Sequence, residues 1–291
     1  MKRSMKQSMG GAVLRTAVVT GIALGALAQG ASAAVINGGF EAGSSGWDGT
    51  GDASWTDASF GVGPVSGARQ GLITTHNESP VPEPGEPPEP DPLLGVPGQS
   101  IGPGGNAVGV SLLETFGGMS GGALNALATS LPGNVLNEGV TEGAAVRQTF
   151  TANAGDVLSF RFNLLSLEPS LIPFSDEADD FAYISLQGAE SFLTLLADIF
   201  DTAMTPLSAP GLAGSFTHET GFMTFSQVLT VGGAYTLSVG VVDVGDNAIG
   251  SALLLDAVSL DAASVPEPAM LGVFGLGLAG LGVAARRRKT A

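Results

Sequence analysis

The sequence contains no cysteine, which excludes disulfide bonds, a lipid-modified cysteine anchor and a thiol nucleophile. It has only two histidines, His76 and His218, which gives no Ser-His-Asp triad worth assigning. No P-loop motif occurs either. Glycoside cleavage needs two carboxyl groups at a defined distance from each other, and the sequence does not give that distance. A glycan hydrolase is therefore kept as a third functional interpretation, after a structural or adhesive protein and a carbohydrate-binding module. We expect that the protein is not an enzyme.

Positive charge is nearly absent from the central part of the chain. Residues 34–264 contain three arginines (Arg69, Arg147 and Arg161), no lysine and 26 acidic residues, a formal charge of −23. Such a surface disfavours nucleic acid and anionic membrane surfaces as partners. The excess of acid either keeps the protein soluble or is compensated by bound cations, for which calcium with its oxygen ligands is the natural candidate. Composition leaves both interpretations open.

The first 33 residues have the three regions of a secretory signal peptide. Four cations precede an apolar run from Ala17 to Leu27, and Ala31 and Ala33 occupy the small-x-small positions of a cleavage site. We predict cleavage after Ala33. An uncleaved anchor helix is the alternative, and the short apolar run disfavours it.

The last 27 residues follow a second fixed order. A polar tetrapeptide (Val265, Pro266, Glu267 and Pro268) comes first, then an uncharged apolar run from 269 to 285, then the cations Arg286, Arg287, Arg288 and Lys289. A helix of that length spans roughly 25 Å, the low end of what crosses a hydrocarbon core of about 30 Å. A buried glycine-rich helix is the alternative, but flanking cations favour a membrane helix with a cytoplasmic end. The rest of the chain then lies outside the cytoplasm.

This terminal arrangement resembles the PEP-CTERM sorting signal of Gram-negative bacteria that make extracellular polysaccharide. In that family a membrane transpeptidase-like enzyme, exosortase, recognises the signal and removes the helix. The resemblance implies exosortase as a partner, transient anchoring in the inner membrane, and delivery to the cell surface or the extracellular medium. The tetrapeptide 81–84 repeats the letters Val-Pro-Glu-Pro but has no apolar helix and no cations behind it.

Between the two signals, residues 34–264 show many short alternating segments bounded by turn residues, which favours a mainly β protein, an antiparallel β-sandwich of jelly-roll type with short helices. Val146–Thr151 and Val157–Leu165 flank the turn 153–156 and predict a hairpin. Three strands predicted near the end of the body, Phe222–Val231, Ala234–Val242 and Ser251–Leu260, are expected to pair in chain order as a closing meander. Ser191–Asp201 fits either a helix or a strand. The other predicted strands are Ala53–Phe60, Gly71–Thr75 and Phe181–Leu186.

Two stretches interrupt the strands. Residues 79–105 contain nine prolines among acids and glycines, which predicts a disordered spacer loop within the domain. Ser111 to Glu114 has the pattern of a capping box, which predicts one short helix there and a second from Ser120 to Leu127, packed on a sheet edge.

Both ends of the body carry a second resemblance. Residues 37–41 (Asn-Gly-Gly-Phe-Glu) with Trp47, and residues 254–260 (Leu-Leu-Asp-Ala-Val-Ser-Leu), resemble the first and last strands of galactose-binding-like and carbohydrate-binding jelly rolls. Residues 147–165 and 225–260 also resemble a sandwich domain of PEP-CTERM proteins of unassigned function. The first resemblance implies that Glu41 and Asp256 ligate a structural calcium. Ligands of one ion lie within twice about 2.5 Å, so a separation above about 7 Å would refute a shared ion. The alternative is that both carboxylates face water.

Other acids and aromatics are weaker candidates. The two further acidic groups, Asp176, Glu177, Asp179 and Asp180, and Asp243 with Asp246, do not fit the twelve-residue calcium loop and are expected in solvated loops. Four aromatics, Trp47, Trp55, Tyr183 and Tyr235, could stack on sugar rings, although strand aromatics more often fill a core. We therefore expect a non-enzymatic structural or adhesive protein, with a carbohydrate-binding module for exopolysaccharide as the alternative.

Overall fold

The computed structural model describes residues 34–76, 99–167, 179–200, 204–207, 216–245 and 250–263. The chain divides into two units, residues 1–30 and 31–291, and every described residue belongs to the second. The predicted signal peptide, most of the proline-rich loop and the predicted membrane helix 269–285 therefore lie outside the described residues.

The described residues form two antiparallel sheets, as the sequence predicts for a sandwich. The strands are β1 Asp48–Thr50, β2 Asp52–Asp57, β3 Arg69–Thr74, β4 Val108–Gly109, β5 Val140–Ala152, β6 Val157–Ser166, β7 Phe181–Gly188, β8 Phe192–Asp198, β9 Thr205–Pro206, β10 His218–Glu219, β11 Met223–Val228, β12 Gly233–Val244 and β13 Ser251–Asp261. In the first sheet the order is β1-β5-β12-β7-β8, with β4 also beside β5. In the second it is β2-β3-β13-β6-β10-β9, with β11 also beside β6.

The main hydrophobic core lies between the two sheets. Alternate residues of the central strands enter it, among them Leu237, Val239 and Val241 from β12, and Leu253 and Leu255 from β13. All five are fully buried. The period of two that the sequence shows therefore corresponds to one face of each strand packed against the opposite sheet.

The predicted hairpin of β5 and β6 is wrong. β5 pairs with β12 in the first sheet, whereas β6 pairs with β13 and β11 in the second, so the turn 153–156 passes from one sheet to the other. Its amides and carbonyls bond to a neighbouring turn: Gly155 N donates to Leu229 O (2.7 Å) and Leu229 N donates to Asp156 O (2.8 Å). Both strands have an apolar face that must be buried. Two packed sheets bury these faces, whereas an isolated two-stranded hairpin would leave them exposed.

The predicted closing meander is wrong for the same reason. β11 and β13 belong to the second sheet, and β12 between them in sequence belongs to the first. The segment 191–201, which the sequence left between helix and strand, contains β8 at the edge of the first sheet.

Two short helices, α1 (Val110–Phe116) and α2 (Ala123–Ala128), pack on the outer face of the first sheet. Leu113 and Leu124 meet Ala145, Tyr183 and Val242, which are the outward residues of the central strands. The prediction of a sheet edge is therefore wrong, because these outward residues form an apolar face that needs a cover. None of the described helices is long and apolar enough to cross a bilayer.

Glu114 caps the second helix and not the first. α1 begins at the N-cap Gly109 without a side-chain cap, so the predicted capping box is not formed. Instead Glu114 is buried and accepts hydrogen bonds from Gly122 N (2.9 Å) and Leu124 N (3.0 Å) at the start of α2. One carboxylate thus satisfies two amides that α2 cannot bond internally and joins the two helices.

The predicted loop 79–105 is ordered at its end. Gln99 O accepts a hydrogen bond from Trp55 N (3.0 Å), and Ile101 N donates to Ala53 O (2.8 Å). Ile101 is fully buried in the main core. Residues 99–101 therefore pair with the edge of β2, and the spacer prediction is wrong for this part.

Replacing Glu114 by Ala tests the capping role. We expect the free energy of unfolding to fall by about 1–3 kcal/mol, because two helix amides lose their acceptor, one of them on the fully buried Leu124. Leu112→Ala on the exposed side of α1 is the control and should change it by less than about 0.5 kcal/mol. Denaturant unfolding measures both, and equal effects would contradict the cap.

Candidate metal centre

The first loop of the body is organised by Asn37. Its side-chain amide donates to Gly43 O (2.8 Å) and Ser45 O (3.0 Å), and its side-chain oxygen accepts from Ala42 N (2.9 Å). Asn37 itself has a positive φ of 52°, which asparagine tolerates better than most residues. The loop therefore has a defined shape before any ligand is considered.

Phe40 anchors this loop in the core. Its side chain is fully buried and its ring stacks on Trp47 with centroids 5.1 Å apart. The ring lies on Gly71 of β3, where a Cβ atom would come within 2.7 Å of Phe40 Cζ. The aromatic anchor thus places its neighbour Glu41 beside the start of β3.

Asp256 lies at a bulge in β13, the last strand. The register with β6 shifts between Asp256 and Ser259, and Ala257 has a φ of 52°. The first loop contacts this bulge directly, because Val258 N donates to Gly38 O (3.0 Å) and a Cβ on Gly38 would lie 1.9 Å from Val258 O. The two resembling segments, one from each end of the body, therefore meet in the fold.

The loop 65–69 supplies amides to both carboxylates. Asp256 Oδ2 accepts from Val65 N (2.8 Å) and Ser66 N (2.9 Å). Glu41 Oε1 accepts from Ala68 N (2.7 Å) and Arg69 N (3.0 Å). These bonds hold each carboxylate in one orientation.

The carboxylates of Glu41 and Asp256 are close to each other. The position of a Cβ on Gly39 is 3.5 Å from Asp256 Oδ1 and 4.0 Å from Glu41 Oε1, so these oxygens are at most 7.5 Å apart, the sum of the two distances. Burial raises the pKa of Asp256, the amides of Ser66, Ala257 and Val65 lower it, and the charge of Glu41 raises it again. The two residues that the sequence singled out thus interact electrostatically.

A cation would fit this pair only with additional ligands. Within the described ranges, no three His, Cys, Asp or Glu side chains are grouped so that they could hold a metal ion. Calcium takes six to eight oxygens, and backbone carbonyls and water are common among them. We call the loop 65–69 with the carboxylates of Glu41 and Asp256 the carboxylate cradle. It supplies part of a ligand set, which backbone carbonyls and water can complete for calcium, whereas zinc usually takes a complete set of protein nitrogen and sulfur ligands.

Three of the other acids are buried, and the prediction of solvated loops is wrong for them. Asp179, Asp180 and Asp243 have at most 2% of their surface exposed. Asp180 and Asp243 directly adjoin the apolar runs of β7 and β12, a sequence signal that could have indicated their burial. Asp176, Glu177 and Asp246 lie outside the described residues.

The arginines of the body each have partners that are not these buried acids. Arg69 lies 4.0 Å above the Trp55 ring and donates to Glu41 O (3.0 Å). The other two are placed as follows: Arg147 pairs with Asp48 at 3.3 Å and covers Phe116, and Arg161 donates to the carbonyls of Phe222 and Met223.

The aromatics give little surface for a sugar. Trp47, Tyr183 and Tyr235 are buried, and Trp55 is half-buried with Arg69 over its ring.

The predicted sorting and cleavage residues lie outside the described residues. They are Val265, Pro266, Glu267, Pro268, Arg286, Arg287 and Arg288 for sorting, and Ala31 and Ala33 for cleavage.

Gly67 provides a test of the carboxylate cradle. It has a φ of +68°, and a Cβ atom there would lie 2.1 Å from Glu41 Oε1. We expect Gly67→Ala to reduce the free energy of unfolding by about 1–3 kcal/mol. At Gly63 the nearest atom to a Cβ would be 3.8 Å away, so Gly63→Ala should be neutral within about 1 kcal/mol. If thermal unfolding shows the same effect for both, the cradle is not as rigid as described.

Comparison with known proteins adds one specific match. The family model described as the PEP-CTERM protein-sorting motif matches residues 264–289. No curated protein matches the sequence. A solved structure of the carbohydrate-binding module TmCBM61 with beta-1,4-galactotriose is similar over 78% of this chain and 95% of that one, at 10% identity and a TM-score of 0.34, too loose a match for anything to be transferred. The chain therefore carries a PEP-CTERM protein-sorting motif, which marks it as an exported protein with a C-terminal membrane-anchoring signal and implies its processing by exosortase.

Proposed function

We propose that this protein is a non-enzymatic component of the outer cell surface or extracellular matrix, with a structural or adhesive role. Its body is a jelly-roll sandwich that follows a cleaved signal peptide. A helix over 269–285 holds the precursor in the inner membrane until exosortase removes it and the body is delivered outward.

The position of the sorting motif carries this proposal. The match begins at residue 264, and the last strand of the body, β13, ends at Asp261. From Asp261 to Ala269, where the apolar run begins, the chain can reach at most roughly 28 Å at about 3.5 Å per residue. The folded body is thus tied directly to its sorting signal, without a long stalk or a second domain between them.

The content of the body favours a structural role over ligand binding. Its arginines are engaged with neighbouring side chains and carbonyls, and its tryptophans and tyrosines are buried or covered. Stacking on a sugar needs an open aromatic face. Binding of exopolysaccharide is the alternative, which would have to use polar loop residues.

We propose further that Glu41 and Asp256 hold a structural calcium. Two neighbouring carboxylates repel each other, and a divalent cation between them would remove that repulsion and bind the first loop to the last strand. The role of the ion would be stability, since it would join the two ends of the body.

The sorting proposal is tested by exchanging the tripeptide 266–268. We expect Pro266→Ala, Glu267→Ala and Pro268→Ala together to leave full-length protein in the inner membrane, because the processing enzyme no longer recognises the signal. The control is the same triple exchange to Ala at Pro82, Glu83 and Pro84, a second copy of the tripeptide that has no apolar helix after it. This control should leave processing unchanged. Cell fractionation with intact-mass measurement reads out both.

Recovery of full-length wild-type protein free in the medium would refute the sorting scheme. Retention of the released wild-type protein on the cell's own exopolysaccharide, measured on immobilised glycans, would replace the structural role by the binding alternative.

The calcium site is tested by calorimetric titration with calcium. Wild-type protein is expected to bind about one ion, and Asp256→Asn to lose at least tenfold in affinity because one anionic ligand is removed. Asp261→Asn, an exposed acid near the end of the same strand, is the control. Equal affinity in all three proteins would place calcium elsewhere or nowhere.

A further inference from the structure

One end of the sandwich is closed by carboxyl groups that reach from one sheet to the other. Asp180 directly precedes β7 of the first sheet, and its Oδ2 accepts a hydrogen bond from the hydroxyl of Ser251 (2.8 Å), the first residue of β13 in the second sheet. Its Oδ1 accepts from Val244 N at the end of β12 (2.9 Å). This single side chain therefore connects three strand ends.

Asp243 lies beside this connection. It is buried on β12 of the first sheet, near the hydroxyl of Thr75, the residue after β3 of the second sheet, and near the carboxyl group of Asp180. Its Oδ1 has no hydrogen-bond partner within the described ranges. Two buried carboxyl groups so close to each other are unfavourable when both are ionised. We call Asp180, Asp243, Thr75 and Ser251 the acid clasp.

Asp179 lies next to the acid clasp and is fully buried. Neither of its carboxyl oxygens has a hydrogen-bond partner of good geometry within the described ranges, although the amides of Gly133 and Ile199 approach it. A buried ionised carboxylate with so little compensation is unfavourable, so a neutral carboxylic acid is expected here.

No arginine or lysine of the body can neutralise these groups. Residues 34–264 contain no lysine, and the three arginines are held by the partners described above. The other titratable groups that face or adjoin the cluster are Glu142 on β5, opposite Asp243, then Asp198 on β8 and His76 after β3. With neither lysine nor arginine to pair with them, these acids are expected to be neutralised by protons, and a bound cation is the alternative that the experiment below distinguishes.

We propose that the acid clasp and Asp179 form a pH-sensitive closure of the sandwich, in which Asp180 joins the two sheets while Asp179 and Asp243 are neutral acids, and which loosens at this end when Asp179 and Asp243 ionise. Both sheets contribute strand ends to it, so ionisation acts on the contact between the sheets and not on the pairing within either one.

The direction of the pH effect follows from the pKa values. Burial, with the charges of Asp198 and Asp180, raises the pKa of Asp179 from 3.8 to about 8. Burial, with the charge of Asp180, raises the pKa of Asp243 well above its ordinary value. The folded protein then keeps protons that the unfolded chain releases above pH 4. The contribution of these two groups to stability is therefore greatest below about pH 4 and falls as the pH rises towards and through about 8.

The unfolding equilibrium constant of the full chain, purified in detergent with a chelator, tests this proposal between pH 5 and 9. For wild-type protein the constant should rise with pH up to about 8, about tenfold per pH unit for each proton released on unfolding. Asp243→Asn keeps the shape of the neutral acid but cannot ionise. In this variant about one proton fewer is released on unfolding, so its unfolding constant should rise with each pH unit by a factor about ten times smaller than in wild type. Asp261→Asn, with an exposed acid, should follow wild type.

Three outcomes overturn the proposal: a flat wild-type profile, an unchanged slope in Asp243→Asn, or a restoration of wild-type stability by calcium at pH 8 that Asp243→Asn does not share. The last outcome would make the acid clasp a cation site. If Asp243→Asn does not fold, Asp179→Asn provides the same comparison, with the same expected loss of about one proton from the slope.

Discussion

The structure depends on how carboxyl groups are buried in a body that has almost no positive charge. Three arginines cannot pair with 26 acids, so the fold uses other means of stabilising the acids that it buries. Glu114 accepts two helix amides, Glu41 and Asp256 accept the amides of one loop, and Asp180 accepts an amide and a hydroxyl. Backbone amides therefore donate many of the hydrogen bonds to these carboxyl groups that lysine and arginine side chains donate in other proteins.

Periodicity in the sequence was sufficient for the strands and insufficient for their partners. Alternation of apolar residues located β5, β6, β7, β12 and β13, because it records which face of each strand is buried. It could not show that β5 and β6 lie in different sheets, because a turn such as 153–156 looks the same in a hairpin and between two sheets. The helices were found for similar reasons, while their position on a sheet face depended on outward apolar residues such as Tyr183 and Val242.

The candidate site shows the same division. Glu41 and Asp256 were identified from the sequence because each lies in a recognisable segment, and the structure places these segments against each other through Gly38 and Val258. Asp179, Asp180 and Asp243 were assigned to solvent because runs of acids usually lie in loops. The apolar runs beside Asp180 and Asp243 could have indicated their burial, but no local pattern shows their partners, which lie more than 60 residues away in the case of Asp180 and Val244.

The central place of β13 in the second sheet bears on the order of events during export. This strand lies between β3 and β6, yet it is the last strand of the body in sequence, and the sorting motif begins at residue 264. The second sheet cannot be completed until β13, which ends at residue 261, has been exported. The sorting motif begins at residue 264, so this sheet can close only when the C-terminal anchoring signal is the next part of the chain to emerge.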